Sequence, residues 1–174
     1  MKHWKPAVIA ALWSGALYAA PMPVVASFSI LGDVAQQIGG ERVAVQSLVG
    51  ANQDAHAYNL TSSDIKKIRE ARLVLLNGLG LEKAELQRAV KQSKVASAEA
   101  TAGIKPLAAD EHHHEHNHGH DHDHGEFDPH VWNDPVLMQR YAANVAIALI
   151  KADPAGSRYY QQRFKDYQNV LNRR

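Results

Sequence analysis

The histidines of this chain are concentrated in one stretch, and their spacing points to the binding of metal ions. Nine of the 11 histidines lie in HHHEHNHGHDHDHGEFDPH, which runs from residue 112 to residue 130. A neutral imidazole is a common zinc ligand, but a tetrahedral ion accepts only about four ligands. The nine imidazoles therefore cannot all bind one ion, and those in rigid surroundings have to be distinguished from the others.

His130 has the sequence surroundings of a fixed metal ligand. It lies in DPHVWNDP, where Asp128 and Pro129 restrict the preceding backbone and Trp132 is placed to shield the side chain. Asp134 precedes a proline, so a capped helix is predicted to begin directly after this segment. A ligand held by rigid neighbours needs little reorganisation when it binds a metal ion.

His56 is the second candidate ligand. It lies in the polar loop GANQDAHAYNL, directly after a predicted strand. Ligands of open α/β sheets bind at the loops beyond the carboxyl ends of the strands, which allows His56 and His130 to face one crevice. Taken alone, His56 also fits an ordinary loop histidine.

A second group of histidines alternates with Asp, Glu, Gly and Asn. No apolar residue lies between Ala109 and Phe127, so we expect residues 110–126 to form a mobile loop that buries nothing. Mobile imidazoles and carboxylates can still chelate metal ions weakly; the alternative is a solvated linker without any role. These auxiliary candidates are His112, His113, His114, His116, His118, His120, His122 and His124.

Predicted strands and helices alternate along the chain. Short apolar or β-branched runs predict strands, and apolar residues three or four apart predict helices. The predicted strands are residues 23–29, 42–49, 72–77 and 94–98, and the predicted helices between and after them are residues 30–38, 62–71, 81–92 and 134–152. This order predicts an α/β fold, a parallel sheet flanked by helices on both faces.

Several helix boundaries are marked by capping residues. Thr61 and Asp64 have the spacing of a capping box. Asp134–Pro135 and Asp153–Pro154 each place an acidic N-cap before a proline at the first helical position. In the helix after Asp153 the apolar pattern runs to Leu171 without a stop signal, so we expect the helix to belong to a longer protein.

The N-terminus and the composition indicate an exported protein. Lys2 and Lys5 precede the apolar run AVIAALWSGALYA, so residues 1–20 are predicted to be a signal peptide. The chain has no cysteine, which excludes disulfides, thiolate zinc sites and a lipid-modified cysteine and predicts a soluble mature protein. Its 19 basic and 18 acidic side chains nearly balance, so nothing favours nucleic acid as a partner.

Four stretches together resemble the ZnuA-like periplasmic receptors for zinc and manganese of bacterial ABC importers. They are PVVASFSILGDVAQQIGG, GANQDAHAYNLTSSDI, ARLVLLNGLGLE and FDPHVWNDP, and the resemblance covers essentially the whole mature chain. It implies that His56 and His130 are direct metal ligands and that residues 110–126 are the auxiliary loop of zinc-selective members. One departure is Ala55, where the family often has a proline, which leaves the loop less rigid.

The resemblance also implies a two-lobed receptor in which each lobe supplies two metal ligands and a long helix joins the lobes. Residues 21–153 are then the N-terminal lobe, and residues 154–174 are the start of the connecting helix. The third histidine and the carboxylate expected from the second lobe do not occur in this chain. It is therefore predicted to be one lobe, as a fragment of a receptor or as a naturally short relative.

The predicted function is the capture of Zn²⁺ in the periplasm and its delivery to an ABC permease, with Mn²⁺ the less favoured ion because imidazole ligation suits zinc. The alternative is a free-standing periplasmic zinc buffer or metallochaperone that uses the histidine-rich loop. An enzyme is not predicted, because no predicted helix carries an HExxH motif and no glutamate is obviously placed as a general base. Two imidazoles leave two positions on a zinc ion, so zinc-promoted dimerisation is a further expectation.

Overall fold

The computed structural model describes residues 20–105 and 127–173. Four strands and five helices follow one another in this part of the chain, with three short 3₁₀ turns. The strands are β1 (Met22–Phe28), β2 (Val43–Val49), β3 (Leu73–Leu76) and β4 (Ala96–Glu99), the helices are α1 (Ser29–Gly39), α2 (Ser62–Glu70), α3 (Ala84–Ser93), α4 (Pro135–Ala152) and α5 (Ser157–Leu171), and the turns are Gly40–Arg42, Val131–Asn133 and Pro154–Gly156.

The four strands form one parallel sheet in the order β2-β1-β3-β4. Val24 in β1 is aligned with Val45 of β2 on one side and with Leu73 of β3 on the other. All four residues of β3 are buried, as expected of a strand covered by helices on both faces. The predicted α/β fold with a flanked parallel sheet is therefore confirmed.

Alternation along the central strands divides the interior into two clusters, one on each face of the sheet. In β1, Val24 and Ala26 pack against α1, α4 and α5, whereas Val25 packs against α2 and α3. β3 divides in the same way, with Leu75 in the first cluster and Val74 in the second. Successive side chains of a strand point to opposite faces, so one apolar run supplies both clusters.

Two of the predicted caps have the expected contacts. Thr61 Oγ1 accepts a hydrogen bond from the backbone N–H of Asp64, and the Asp64 carboxylate accepts the N–H of Thr61, which completes the capping box of α2. Asp134 Oδ1 accepts the N–H groups of Val136 and Leu137 at the start of α4. Both helices therefore begin where their capping residues predict.

Asp153, the third predicted cap, binds two other side chains instead of capping a helix. Pro154–Gly156 form a 3₁₀ turn, the α-helix begins at Ser157, and Asp153 makes no side-chain capping bond. Asp153 Oδ2 instead accepts hydrogen bonds from Arg42 at 2.7 Å and from Tyr160 at 2.7 Å. Desolvation raises the pKa of Asp153, but these two donors outweigh it and lower the pKa overall.

Helix α5 uses its predicted apolar positions. Tyr160 is fully buried, and Phe164, Tyr167 and Leu171 lie partly buried against the cluster that contains Val24. None of the helices in the described residues combines the length and apolar character that a membrane span requires. The predicted signal peptide, apart from Ala20, lies outside the described residues, as do residues 110–126.

Candidate metal centre

The structure brings His56 and His130 into contact. Their Nε2 atoms lie 3.2 Å apart, although the two residues are 74 positions apart in the sequence. The ring centroids are separated by 5.3 Å and the ring planes are tilted by 54°. His56 follows β2, and His130 lies directly before the turn that leads into α4. The two candidate ligands thus share one site beyond the carboxyl ends of the strands.

The separation of the two imidazoles fits a single metal ion. Zinc–nitrogen bonds of about 2.0–2.1 Å at tetrahedral angles place two ligand nitrogens roughly 3.3–3.4 Å apart. The 3.2 Å between the Nε2 atoms is close to that value. Within residues 20–105 and 127–173 no group of three or more His, Cys, Asp or Glu side chains is placed to hold an ion. In this part of the chain the candidate site therefore consists of His56 and His130 alone.

Asp128 orients the imidazole of His130. Asp128 Oδ1 lies 2.6 Å from Nδ1 of His130 and also accepts the backbone N–H of His130 at 2.9 Å. A carboxylate can only accept, so it favours the tautomer with the proton on Nδ1 and leaves the Nε2 lone pair available to a metal ion. The backbone hydrogen bond from His130 is the main reason why the pKa of Asp128 is lowered, against the opposing effect of desolvation.

Aromatic side chains cover one side of His130. Trp132 contacts the imidazole edge-on at a centroid distance of 5.2 Å and packs in turn against Phe28 at 4.8 Å. His130 also lines a groove of about 190 Å³ together with Asn133 and Leu137. Trp132 thus contacts the imidazole that it is predicted to shield, and the His130 side chain is still 41% exposed.

The loop that carries His56 repeats the local arrangement found at His130. Asp54 Oδ1 accepts the backbone N–H of His56 at 2.8 Å, as Asp128 does for His130. Asp54 is not among the predicted site residues, although the Asp-x-His spacing shared by DAH and DPH indicates it. In each segment an aspartate two residues before the histidine accepts its backbone N–H and so restrains the backbone that carries the imidazole.

Tyr58 attaches the same loop to helix α2. Its hydroxyl donates to Asp64 Oδ2 at 2.7 Å, alongside the donors of the capping box. Burial, with help from this hydrogen bond, raises the pKa of Tyr58 to about 12. Burial also raises the pKa of Asp64, but its hydrogen bonds, with those from Thr61 and Tyr58 first, outweigh burial and lower the pKa to about 2. The loop that carries His56 is therefore hydrogen-bonded, through Tyr58, to the buried carboxylate in the capping box of α2.

The eight histidines between positions 112 and 124 lie outside the described residues. Their auxiliary role stays a prediction from the sequence, and the geometry above concerns His56 and His130 alone.

A parallel α/β fold with two imidazoles paired beyond its strand ends fits a metal-binding protein, and comparison with known proteins assigns its family. The chain belongs to the family described as zinc-uptake complex component A, periplasmic, whose model matches residues 24–173. The resemblance found in the sequence is thereby confirmed.

Individual relatives carry the names of different metals. The chain is 31% identical over 152 residues to the manganese ABC transporter substrate-binding lipoprotein PsaA of Streptococcus anginosus, covering 87% of this chain and 48% of that protein. It is 33% identical over 144 residues to the iron-binding protein YfeA of Yersinia pestis, covering 83% and 43%. These relatives are described as binding proteins, in agreement with the prediction that the chain is not an enzyme.

Solved structures show the same lobe. The Mn-bound periplasmic metal binding protein of Candidatus Liberibacter asiaticus matches with a TM-score of 0.72 at 33% identity, over 84% of this chain and 52% of that one. The metal-dependent lipoprotein YcdH of Bacillus subtilis matches with a TM-score of 0.71 at 26% identity, over 87% and 52%. The chain spans about half the length of the relatives that it matches.

Proposed function

We propose that this chain is the N-terminal lobe of a receptor that captures zinc for an ABC permease. The observation that carries the proposal is the 3.2 Å separation of the Nε2 atoms of His56 and His130, which suits two ligands of one ion. The hydrogen bond from His130 Nδ1 to Asp128 supports it, because such carboxylate–histidine pairs are common at metal sites. The metal ion is the transported substrate.

Zinc is the proposed ion because the donor set is rich in imidazole. Carboxylate and water ligands suit manganese, whereas imidazole suits zinc, iron, copper and nickel. Both placed ligands are histidines, and eight more histidines lie between positions 112 and 124. We propose that this segment, within residues 110–126, gathers zinc near the site. The metals named for the relatives are manganese and iron, so the choice of ion requires direct measurement.

The proposed location is the periplasm. Residues 1–20 have the basic start and the apolar run of a signal peptide. We assign residues 21–153 to the N-terminal lobe and residues 154–174 to the start of the helix that connects it to a second lobe. The remaining metal ligands would come from that second lobe, from the histidine-rich segment or from another molecule.

Titration calorimetry with zinc and with manganese tests this proposal. The parent is the full chain with asparagine in place of each of the eight histidines between positions 112 and 124, so that only the paired site is measured. His56→Ala and His130→Ala should each remove the tight binding of zinc, and Asn133→Ala, in the groove beside His130, should leave it unchanged. Tighter binding of manganese than of zinc would overturn the choice of ion, and full retention of zinc by both histidine variants would overturn the site.

A free-standing zinc buffer is the second candidate function, and the number of histidines between positions 112 and 124 favours it. The same titrations separate the two. If the wild-type chain loses nearly all zinc capacity when those eight histidines are replaced, the buffer is supported. If one ion stays bound through His56 and His130, the receptor is supported.

A further inference from the structure

A single loop that supplies no metal ligand contacts both segments that carry one. This loop, the β3–α3 loop, comprises residues 77–83 with the sequence NGLGLEK. Its first residue, Asn77, donates from Nδ2 to the carbonyl oxygen of Pro129 at 3.1 Å. Its last residue, Lys83, donates from Nζ to the carbonyl oxygen of Ala57 at 3.0 Å. Pro129 and Ala57 are the direct neighbours of His130 and His56.

The Asn77 end of the loop is fixed from inside the protein. Asn77 is fully buried, and its side-chain oxygen accepts a hydrogen bond from the hydroxyl of Tyr141, which is also fully buried in α4. Thr101 Oγ1 donates to the backbone carbonyl of Asn77 at 2.6 Å. A buried amide with these partners has little freedom to rotate. The Pro129 carbonyl, directly before His130, is therefore hydrogen-bonded to a fixed side chain at the end of β3.

Glu82 holds the loop in its folded conformation. It is 6% exposed, and Oε1 accepts from Ser27 Oγ at 2.6 Å and from the backbone N–H of Asn77 at 2.6 Å, while Oε2 accepts from the N–H of Gly78 at 3.0 Å. A buried carboxylate needs such donors to offset its desolvation. The backbone at Leu79 has a φ of 53°, an unfavourable value for a residue with a side chain, which surrounding contacts have to maintain.

Lys83 contacts the loop that carries His56. Besides the Ala57 carbonyl, its ammonium contacts Asn59 Oδ1 at 3.0 Å, so it bridges two points of the loop that carries His56. The ammonium is a charged donor, and hydrogen bonds with a charged partner are stronger than neutral ones. Lys83 directly precedes α3, which packs against the sheet. It thereby links the His56 loop to the start of α3, at the opposite end of the β3–α3 loop from Asn77.

We infer that the β3–α3 loop sets the separation between His56 and His130, with Asn77 and Lys83 as positioning residues for a metal site to which neither contributes a ligand. The inference rests on the proposed function, because it gives the loop a role in metal affinity. Two imidazoles mounted on separate segments bind one ion tightly only when their nitrogens are held at the required distance. The loop spans both segments and ties each of them beside its histidine.

Lys83→Met tests the inference, since methionine keeps the aliphatic stem and removes the donor. The background is the full chain with asparagine at the eight histidine positions between 112 and 124, and zinc affinity is measured by competition with a chromophoric zinc indicator. Lys83→Met should weaken zinc binding about 2- to 10-fold, as expected for the loss of one or two exposed hydrogen bonds. Lys83→Arg should restore most of it. Lys91→Met, a matched loss of charge in the last turn of α3, should have no effect.

Double-mutant cycles separate positioning from a general loss of structure. Because the loop is inferred to act on the pair, Lys83→Met should have no further effect on the residual zinc affinity in either a His56→Ala or a His130→Ala background. Tyr141→Phe, which removes the hydroxyl that donates to Asn77, should weaken zinc binding by the parent and likewise have no further effect in either histidine background. An effect of Lys83→Met that persists in either histidine background, or no effect on the parent, would overturn the inference while leaving the metal site intact. Unchanged zinc binding by the histidine single variants would instead refute the proposed function.

Discussion

Asp128 Oδ1 lies 2.6 Å from Nδ1 of His130, so the imidazole is oriented by a carboxylate only two residues away. We predict that Asp128→Ala weakens zinc binding about 10- to 100-fold, the usual effect of losing such a partner of a metal-bound histidine. The alanine side chain offers no acceptor to Nδ1, so the ring loses its fixed tautomer and orientation. Calorimetry measures the change in the chain that has asparagine in place of the eight histidines between positions 112 and 124.

The control for that experiment is Asp33→Ala, which removes a carboxylate from the exposed side of α1, where it contacts Gln37. It should leave zinc affinity unchanged. An Asp128→Ala variant that binds zinc as tightly as its parent would show that the carboxylate does not prepare His130 for a metal ion.

Deletion of residues 111–125 tests the role of the histidine-rich segment. The stretch contains no apolar residue, so we predict that its removal changes the melting temperature little while lowering the number of zinc ions bound. Differential scanning calorimetry and zinc titration of the same sample give both values. A large fall in melting temperature would contradict the prediction.

Asp64 gives the fold a defined response to acid. Its folded-state pKa of about 2 lies below the ordinary aspartate value, so its contribution to stability is present above about pH 4 and is lost as the pH falls toward 2. The difference corresponds to about 2 kcal/mol of unfolding free energy. We predict that Asp64→Asn lowers stability at pH 7 and flattens its dependence on pH between about 4 and 2, as measured by urea unfolding.

Glu70→Gln is the matched control for Asp64→Asn. Glu70 is an exposed acid at the end of the same helix, 3.8 Å from Lys66, and surface pairs of this kind contribute little. An Asp64→Asn variant with the same acid response as the wild type would contradict the assigned hydrogen bonds.

The elements of the fold were predictable because they depend on local patterns. The buried run of β3 and the capping box at Thr61 and Asp64 involve residues close together in sequence, and both are found as predicted. The prediction of His130 as a ligand rests on the same kind of local pattern, since Asp128 and Trp132 lie within two residues of it.

The supporting contacts of the site could not be predicted in this way, because they join distant residues. Asn77 reaches Pro129 across 52 positions and Lys83 reaches Ala57 across 26. Tyr141 fits the apolar stripe of α4 by its spacing, and nothing local shows that its hydroxyl binds Asn77. Asp153 was assigned to a cap because it precedes a proline, but Arg42, which is 111 positions away, binds its carboxylate.

Gly156 lies directly before helix α5, beside the side chains of Arg42 and Asp153. A Cβ atom at this position would come within 2.5 Å of Arg42 Nε and 2.6 Å of Asp153 Oδ2. We predict that Gly156→Ala lowers the free energy of unfolding by about 1–3 kcal/mol, the usual cost of overpacking, because it forces Arg42 and Asp153 apart. Gly50→Ala is the control, since its Cβ would meet only Gln53, at 3.3 Å. Equal stability of the two variants, measured by urea unfolding, would contradict the prediction.

The pairing of only two imidazoles predicts how the chain associates when zinc is added. Zinc is almost always four-coordinate at fixed protein sites, so His56 and His130 leave about two positions to be filled. A second molecule can fill both with its own pair, and His56 is exposed enough to permit such sharing. With the eight histidines between positions 112 and 124 replaced by asparagine, we predict that the chain is monomeric without zinc and forms dimers at half a zinc ion per chain. His130→Ala should abolish this dimerisation, as measured by sedimentation equilibrium. If the parent stays monomeric at saturating zinc, water or other ligands complete the site and the shared-ion arrangement is wrong.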